Sequence, residues 1–129
     1  MYQGVIIEES LKDTTILKSI KILHTNIESA TPEHKTPWVK QWTLHTVEIA
    51  DNEIENVTKQ LANKLDSEHA WYADFKNDKY HYIIFYRKIF RVDRSRPPEY
   101  EAVTNYGLTL NIPAYQLDFS PAIKQWERK

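Results

Sequence analysis

The sequence predicts an α+β domain with a ferredoxin-like, mostly antiparallel sheet, two main helices on one face, and N-terminal strands that extend the sheet. Three observations predict it. From residue 40 onward the apolar periodicity reads strand, helix, strand, strand, helix and then an apolar segment able to supply a last strand, the order of a split βαβ fold. Residues 52–66 carry an apolar stripe at helical spacing. Only two glycines, Gly4 and Gly107, occur in 129 residues, so little of the backbone calls for unusual conformations.

Taken in order, residues 3–9 read as a short strand around Val5, Ile6 and Ile7, and Asp13 offers an N-cap for a brief helical turn through Leu17. Residues 20–28 read as a second strand whose alternation is imperfect. In 30-ATPEHKTPW-38, Pro32 and Pro37 remove backbone donors and mark a loop. Trp42, Leu44, Thr46 and Glu48 then alternate with Thr43, His45, Val47 and Ile49, which gives a strand with two mixed faces. Asp51 is placed to cap the helix whose stripe is Ile54, Val57, Leu61 and Leu65, with its acids early and its lysines late as the macrodipole favours. Trp71, Ala73 and Phe75 share one face of the next strand, with Tyr72 and Asp74 on the other. Asn77-Asp78 is a polar turn into a strand over residues 80–86, and Arg87-Lys88 marks either a second reversal into residues 89–93 or the bend of one long strand. Pro97 and Pro98 suit the first turn of a second helix, which Gly107 would end at a left-handed C′ position. The tail docks through Tyr115, Leu117 and Phe119. The expected organisation is one domain over residues 1–129, with a core at 40–119, a sheet extension at 1–30 and a C-terminal tail at 120–129.

Composition narrows the function classes. The chain has no cysteine, which removes disulfides, thiolate metal sites and thiol nucleophiles and favours a reducing, cytoplasmic setting. The start MYQGVIIEESLKD has neither the basic opening nor the apolar run of a secretory signal, and no apolar run approaches the roughly 20 residues of a membrane span. The formal net charge is −1, but 79-KYHYIIFYRKIFRVDRSR-96 holds six Lys/Arg and one Asp, so it is locally +5 and the rest of the chain −6.

That basic, aromatic stretch raises a nucleic-acid reading, in which Tyr80, Tyr82 and Tyr86 on one strand face stack on bases and Arg87, Lys88, Arg91, Arg94 and Arg96 meet phosphates. The glycine and basic starter of the RNA-recognition signature are absent, and a strand with half-buried tyrosines and a solvated basic rim accounts for the same residues. Five histidines invite a metal or acid–base reading. His45 and His81 fall on strands expected to be neighbours, with Asp74 or Glu48 near, yet no pair has ligand spacing such as H-x-x-x-H, so no metal is expected. In 69-HAWYAD-74, Tyr72 and Asp74 can cooperate, while His69 shares its face with Trp71. No phosphate loop, nucleophile elbow or carboxylate cage occurs, and no cofactor is expected.

Taken together, MYQGVIIEESL, QWTLHTVEI, HAWYADFKNDKYHYIIF and YGLTLNIPAYQLDF resemble a family of small uncharacterised bacterial proteins. The resemblance spans most of the chain. It implies one intact domain and transfers no catalytic or binding residue, because that family has no assigned activity. From the residues themselves, four Trp and eight Tyr suit a surface that buries area while keeping a polar handle. The expected function is therefore a non-catalytic binding module for a protein partner or small ligand, acting as a homodimer through Trp38 and Trp42. The alternatives are a small cofactor-free acid–base enzyme of the dimeric α+β barrel type, using Tyr72, Asp74, His45 and His81, and a weak RNA or single-stranded DNA binder.

Overall fold

A computed structural model describes residues 1–29, 39–112 and 114–117. The described residues form six strands, β1 (Tyr2–Ile7), β2 (Lys21–Ser29), β3 (Gln41–Ile49), β4 (Tyr72–Lys76), β5 (Tyr80–Phe85) and β6 (Lys88–Asp93). Two α-helices join them, α1 (Ile54–Lys64) and α2 (Tyr100–Thr109). The strands form one sheet in the order β2-β3-β1-β4-β5-β6, and every neighbouring pair is antiparallel. The α+β class and the mostly antiparallel sheet are as the sequence predicts.

The strand order differs from the ferredoxin-like one. β3 and β4 both run antiparallel to β1, so they are parallel to each other with β1 between them and α1 as their crossover. This is a split βαβ unit, but the strand filling the gap is the N-terminal one and not β5. β1 is therefore central rather than an extension of the sheet. Its sequence fits the place: Tyr2 and Ile6 are buried, and Gly4 is squeezed between Val47 and Phe75. A Cβ on Gly4 would lie 1.8 Å from the Asp74 carbonyl oxygen and 2.8 Å from Phe75 Cα, so only glycine lets β4 approach this closely.

The two helices lie on opposite faces, not on one. Tyr82 and Ile84 of β5 join Tyr2, Val47, Ile49 and Phe75 in a cluster with Ile54, Val57 and Leu61 of α1. Ile83 and Phe85, the alternate residues, pack with Val92 and with Tyr100 and Val103 of α2. An interior strand with apolar side chains on both faces needs cover on both sides, and one helix on each face supplies it.

Local chemistry explains the boundaries. The Asp13 carboxylate caps the turn Thr14–Ser19, accepting the Thr15 amide at 3.0 Å. Asp51 stands in a turn ahead of α1 rather than capping it, and the helix begins at Ile54. Arg87-Lys88 does mark a reversal: Phe85 pairs with Lys88, and Arg87 sits at φ 57° with its amide donating to the Ala62 carbonyl of α1 at 2.8 Å. α2 does not end at Gly107. It continues to Thr109, and Asn111 takes the left-handed C′ position at φ 66°, with the Asn111 amide reaching the Leu108 carbonyl and the Ile112 amide the Gly107 carbonyl. Gly107 instead makes room for Leu117, whose Cδ2 would be 2.5 Å from an added Cβ.

After α2 the described residues Ala114–Leu117 form a 3-10 turn in place of a last strand, with Leu117 buried against α2. The side chain of Tyr115, Phe119 and the tail at 120–129 lie outside the described residues, as does the loop at 30–38. No helix among the described residues is long and apolar enough to cross a membrane.

Candidate functional site

The β4–β5 hairpin sets the geometry of the polar centre. Asn77 Oδ1 accepts the amides of Lys79 (2.9 Å) and Tyr80 (2.7 Å), which closes the turn and fixes the register with Asp74 opposite Ile83 and Lys76 opposite His81. Asp74 and His81 are thus diagonal neighbours on one face. Asp74 Oδ2 lies 2.6 Å from His81 Nε2, and the Tyr100 hydroxyl lies 2.9 Å from His81 Nδ1. Tyr100 comes from the first turn of α2, where Pro97-Pro98 turns the chain over this face, and its ring meets the imidazole edge-on at 5.6 Å.

All three members are buried: His81 is 1% exposed, Asp74 4% and Tyr100 8%. Burial pushes the Tyr100 phenol above its ordinary value; the Arg94 guanidinium opposes that shift through its charge and a hydrogen bond, and the Asp74 carboxylate adds to it. Arg94 also donates to the Asn77 carbonyl, tying the hairpin turn to the start of α2. With both ring nitrogens of His81 engaged by protein groups, the chain Asp74–His81–Tyr100 holds α2 on the sheet and presents no nitrogen to a substrate. Tyr72, on the same face, donates its hydroxyl to the Gln116 carbonyl and so pins the turn after α2.

His45 is not part of this group. It pairs with Ile6 on the α1 face, with β1 and β4 between its strand and β5, whereas Asp74 pairs with Val5 on the other face. Its Nδ1 lies 2.9 Å from Thr25 Oγ1 and its Nε2 2.8 Å from Glu8 Oε1. The insertion of β1 separates the strands of His45 and His81 that the sequence places side by side. Glu9 works next to it: beyond the end of β1, its carboxylate accepts the Thr43 amide at 2.6 Å and the Thr43 hydroxyl at 2.7 Å. Asp66, Glu68 and His69 bring ligand atoms within 4.8 Å of one another, but Asp66 is occupied by the Glu68 amide and His69 Nδ1 in a local turn.

The tyrosine face of β5 is covered. Tyr82 is buried against Tyr2, ring centroids 5.4 Å apart, in the cluster under α1. Tyr80 and Tyr86 are half-buried, with Arg91 over the Tyr80 ring at 4.8 Å and Lys12 and Arg87 over the Tyr86 ring at 5.2 and 5.6 Å. Trp42 is buried against Trp71, with centroids 5.5 Å apart, and Trp38 lies outside the described residues.

The surface that stands out is β2. It is an edge strand of nine residues, nearly all exposed, and no described strand pairs with its outer side. Ile22 is 39% exposed, Leu23 44% and Ile27 59%, so apolar side chains line an open row of backbone donors and acceptors. The opposite edge, β6, presents Lys88 and Arg91 to solvent. Sequence reasoning missed β2 as a surface, although its imperfect alternation signals the bulge between Ile22 and His24. It also missed Tyr100, Glu8 and Glu9, which only the fold brings to their partners. Comparison with known proteins found no family model, curated protein or solved structure that matches this chain.

Proposed function

We propose that this protein is a non-catalytic, cytoplasmic binding module that acts as a homodimer, and that its self-association surface is β2. The observation that carries this reading is the exposure of Ile22, Leu23 and Ile27 along a sheet edge with which no described strand pairs. Monomeric proteins blunt such edges with charge or cover, as β6 does here, because main-chain groups beside apolar side chains recruit another strand. The buried Asp74–His81–Tyr100 chain supports a structural role for the residues an acid–base enzyme would need, and the covered tyrosines weigh against a nucleic-acid platform.

Light scattering on the eluting protein tests the proposal. The wild-type chain is expected at the mass of two chains and the double variant Ile22→Lys, Ile27→Lys at that of one, with unchanged circular dichroism. A wild-type mass of one chain at about 100 µM, where even a dimer of Kd 10 µM is mostly associated, overturns it.

A further inference from the structure

The proposal that follows rests on the homodimer reading and specifies how the two copies meet. On β3, Ile22 opposes Val47 and His24 opposes Thr46, so Leu23 is the extra residue of a bulge. With Leu23 set aside, Lys21, His24, Asn26 and Glu28 share one face, and Ile22, Thr25 and Ile27 share the other. Counted outward from Thr25 in both directions, the rungs are His24 and Asn26, then Ile22 and Ile27, then Lys21 and Glu28. The strand is complementary to its own reverse.

We propose that a second copy of this chain pairs with β2 in antiparallel fashion across a two-fold axis at Thr25, with Ile22 opposite the partner's Ile27 and Lys21 opposite the partner's Glu28. A two-fold axis normal to the sheet keeps each face continuous, so the axis must pass through a residue of the ladder and not between two. Moving it to His24 would set Ile22 against Thr25 and Lys21 against Asn26. Moving it to Asn26 would set Thr25 against Ile27 and His24 against Glu28. Only Thr25 sets apolar against apolar at Ile22/Ile27 and cation against anion at Lys21/Glu28, with the remaining three of the seven rungs pairing polar with polar. The pairing consumes the β2 edge of both copies, so it closes as a dimer and does not propagate.

The absence of cysteine makes the register directly testable. Under mild oxidation with oxidised glutathione, Thr25→Cys is expected to form a disulfide-linked dimer, because the axis places that residue opposite itself. Ile22→Cys and Ile27→Cys are each expected to remain unlinked alone and to give linked dimer when mixed. Melting followed by circular dichroism checks that Thr25→Cys, which loses the hydroxyl near His45, is folded; the mixed pair leaves that contact intact. Linkage in both experiments supports the register. A dimer by light scattering that links in neither overturns the register and leaves the homodimer standing. A single-chain mass overturns both.

Discussion

Replacing Tyr100 with Phe isolates the hydroxyl that completes the buried polar chain. The ring keeps its packing against His81 and the α2 cluster, so the apolar contribution is unchanged. What is lost is the hydrogen bond at 2.9 Å to His81 Nδ1, on a side chain 1% exposed, together with the one to the Arg94 guanidinium. A typical net hydrogen bond contributes about 1 kcal/mol, and removing the partner of a buried polar atom raises the cost to about 1–3 kcal/mol. The depth of this site places the expectation near 2 kcal/mol. In urea, with a slope of about 1.5 kcal/mol/M, that moves the unfolding midpoint down by about 1.3 M while the slope stays constant. The pH dependence gives a second reading. Burial raises the folded-state pKa of Tyr100 above 10.0, so the stabilising contribution is complete below about pH 10 and is lost as pH rises through the higher folded value. Wild type should therefore lose stability above pH 10 more steeply than Tyr100→Phe, and the gap between them should narrow. A gap below about 0.5 kcal/mol at pH 7, or one that stays constant from pH 8 to 11, would refute the role assigned to this hydroxyl.

The two glycines should respond differently to Ala. At Gly4 the new Cβ meets backbone atoms that cannot move without parting β1 from β4, so a loss of about 3 kcal/mol or more, or no soluble protein, is expected in thermal melts. At Gly107 it meets only the Leu117 side chain, and a gain of about 1 kcal/mol in helix propensity offsets much of the clash, so the melt should shift little. Asp93 provides a test at acid pH. Hydrogen bonds from the Ser95 hydroxyl and amide hold its carboxyl below the ordinary value of 3.8, so its contribution is present above about pH 4 and is lost as pH falls through the folded value. Asp93→Asn should melt below wild type at pH 7 and converge with it near pH 2; persistence of the difference at pH 2 would show that the charge is not the cause.

Local patterns proved legible where one segment carries its own instructions. The stripe Ile54, Val57, Leu61 and Leu65 specified α1, because 3.6-residue spacing admits no other buried arrangement. Strand alternation likewise assigned Tyr82 and His81 to opposite faces of β5, and Tyr72 and Asp74 to the face away from Trp71. What alternation cannot encode is which strand lies alongside. The pairing of β1 with β3 and β4 spans about forty and about seventy positions of sequence, and its only local trace is Gly4, a residue that makes sense once a neighbouring backbone must come close. The sequence places Asp74 near His81, and the two lie 2.6 Å apart because their strands form one hairpin, while the rest of their company could not be read. Tyr100 reaches His81 from the helix across the sheet, and His45 finds Glu8 and Thr25 instead of His81.

The position of β1 also decides which edge is left open. Tyr2 and Ile6 are buried and Val5 and Ile7 partly so, and such a strand gains most in the middle of the sheet, where neighbours and helices remove both faces from water. β2, by contrast, offers apolar groups at Ile22 and Ile27 on one face and charge or amide groups on the other, and is covered by neither helix cluster. Placing β1 between β3 and β4 therefore drives β2 to the end of the sheet, where β3 is its only partner strand among the described residues. A nine-residue strand in that position keeps its isoleucines in water unless something pairs with its outer side. β6 meets the same difficulty with Lys88 and Arg91, side chains that a second strand would have to desolvate. β2 has its two charges at the far ends of the ladder, Lys21 and Glu28, where reversal of the strand brings opposite signs together. Reversal of the strand thus sets opposite charges together at its ends and isoleucine against isoleucine within, which is the ground for the proposed pairing with a second copy.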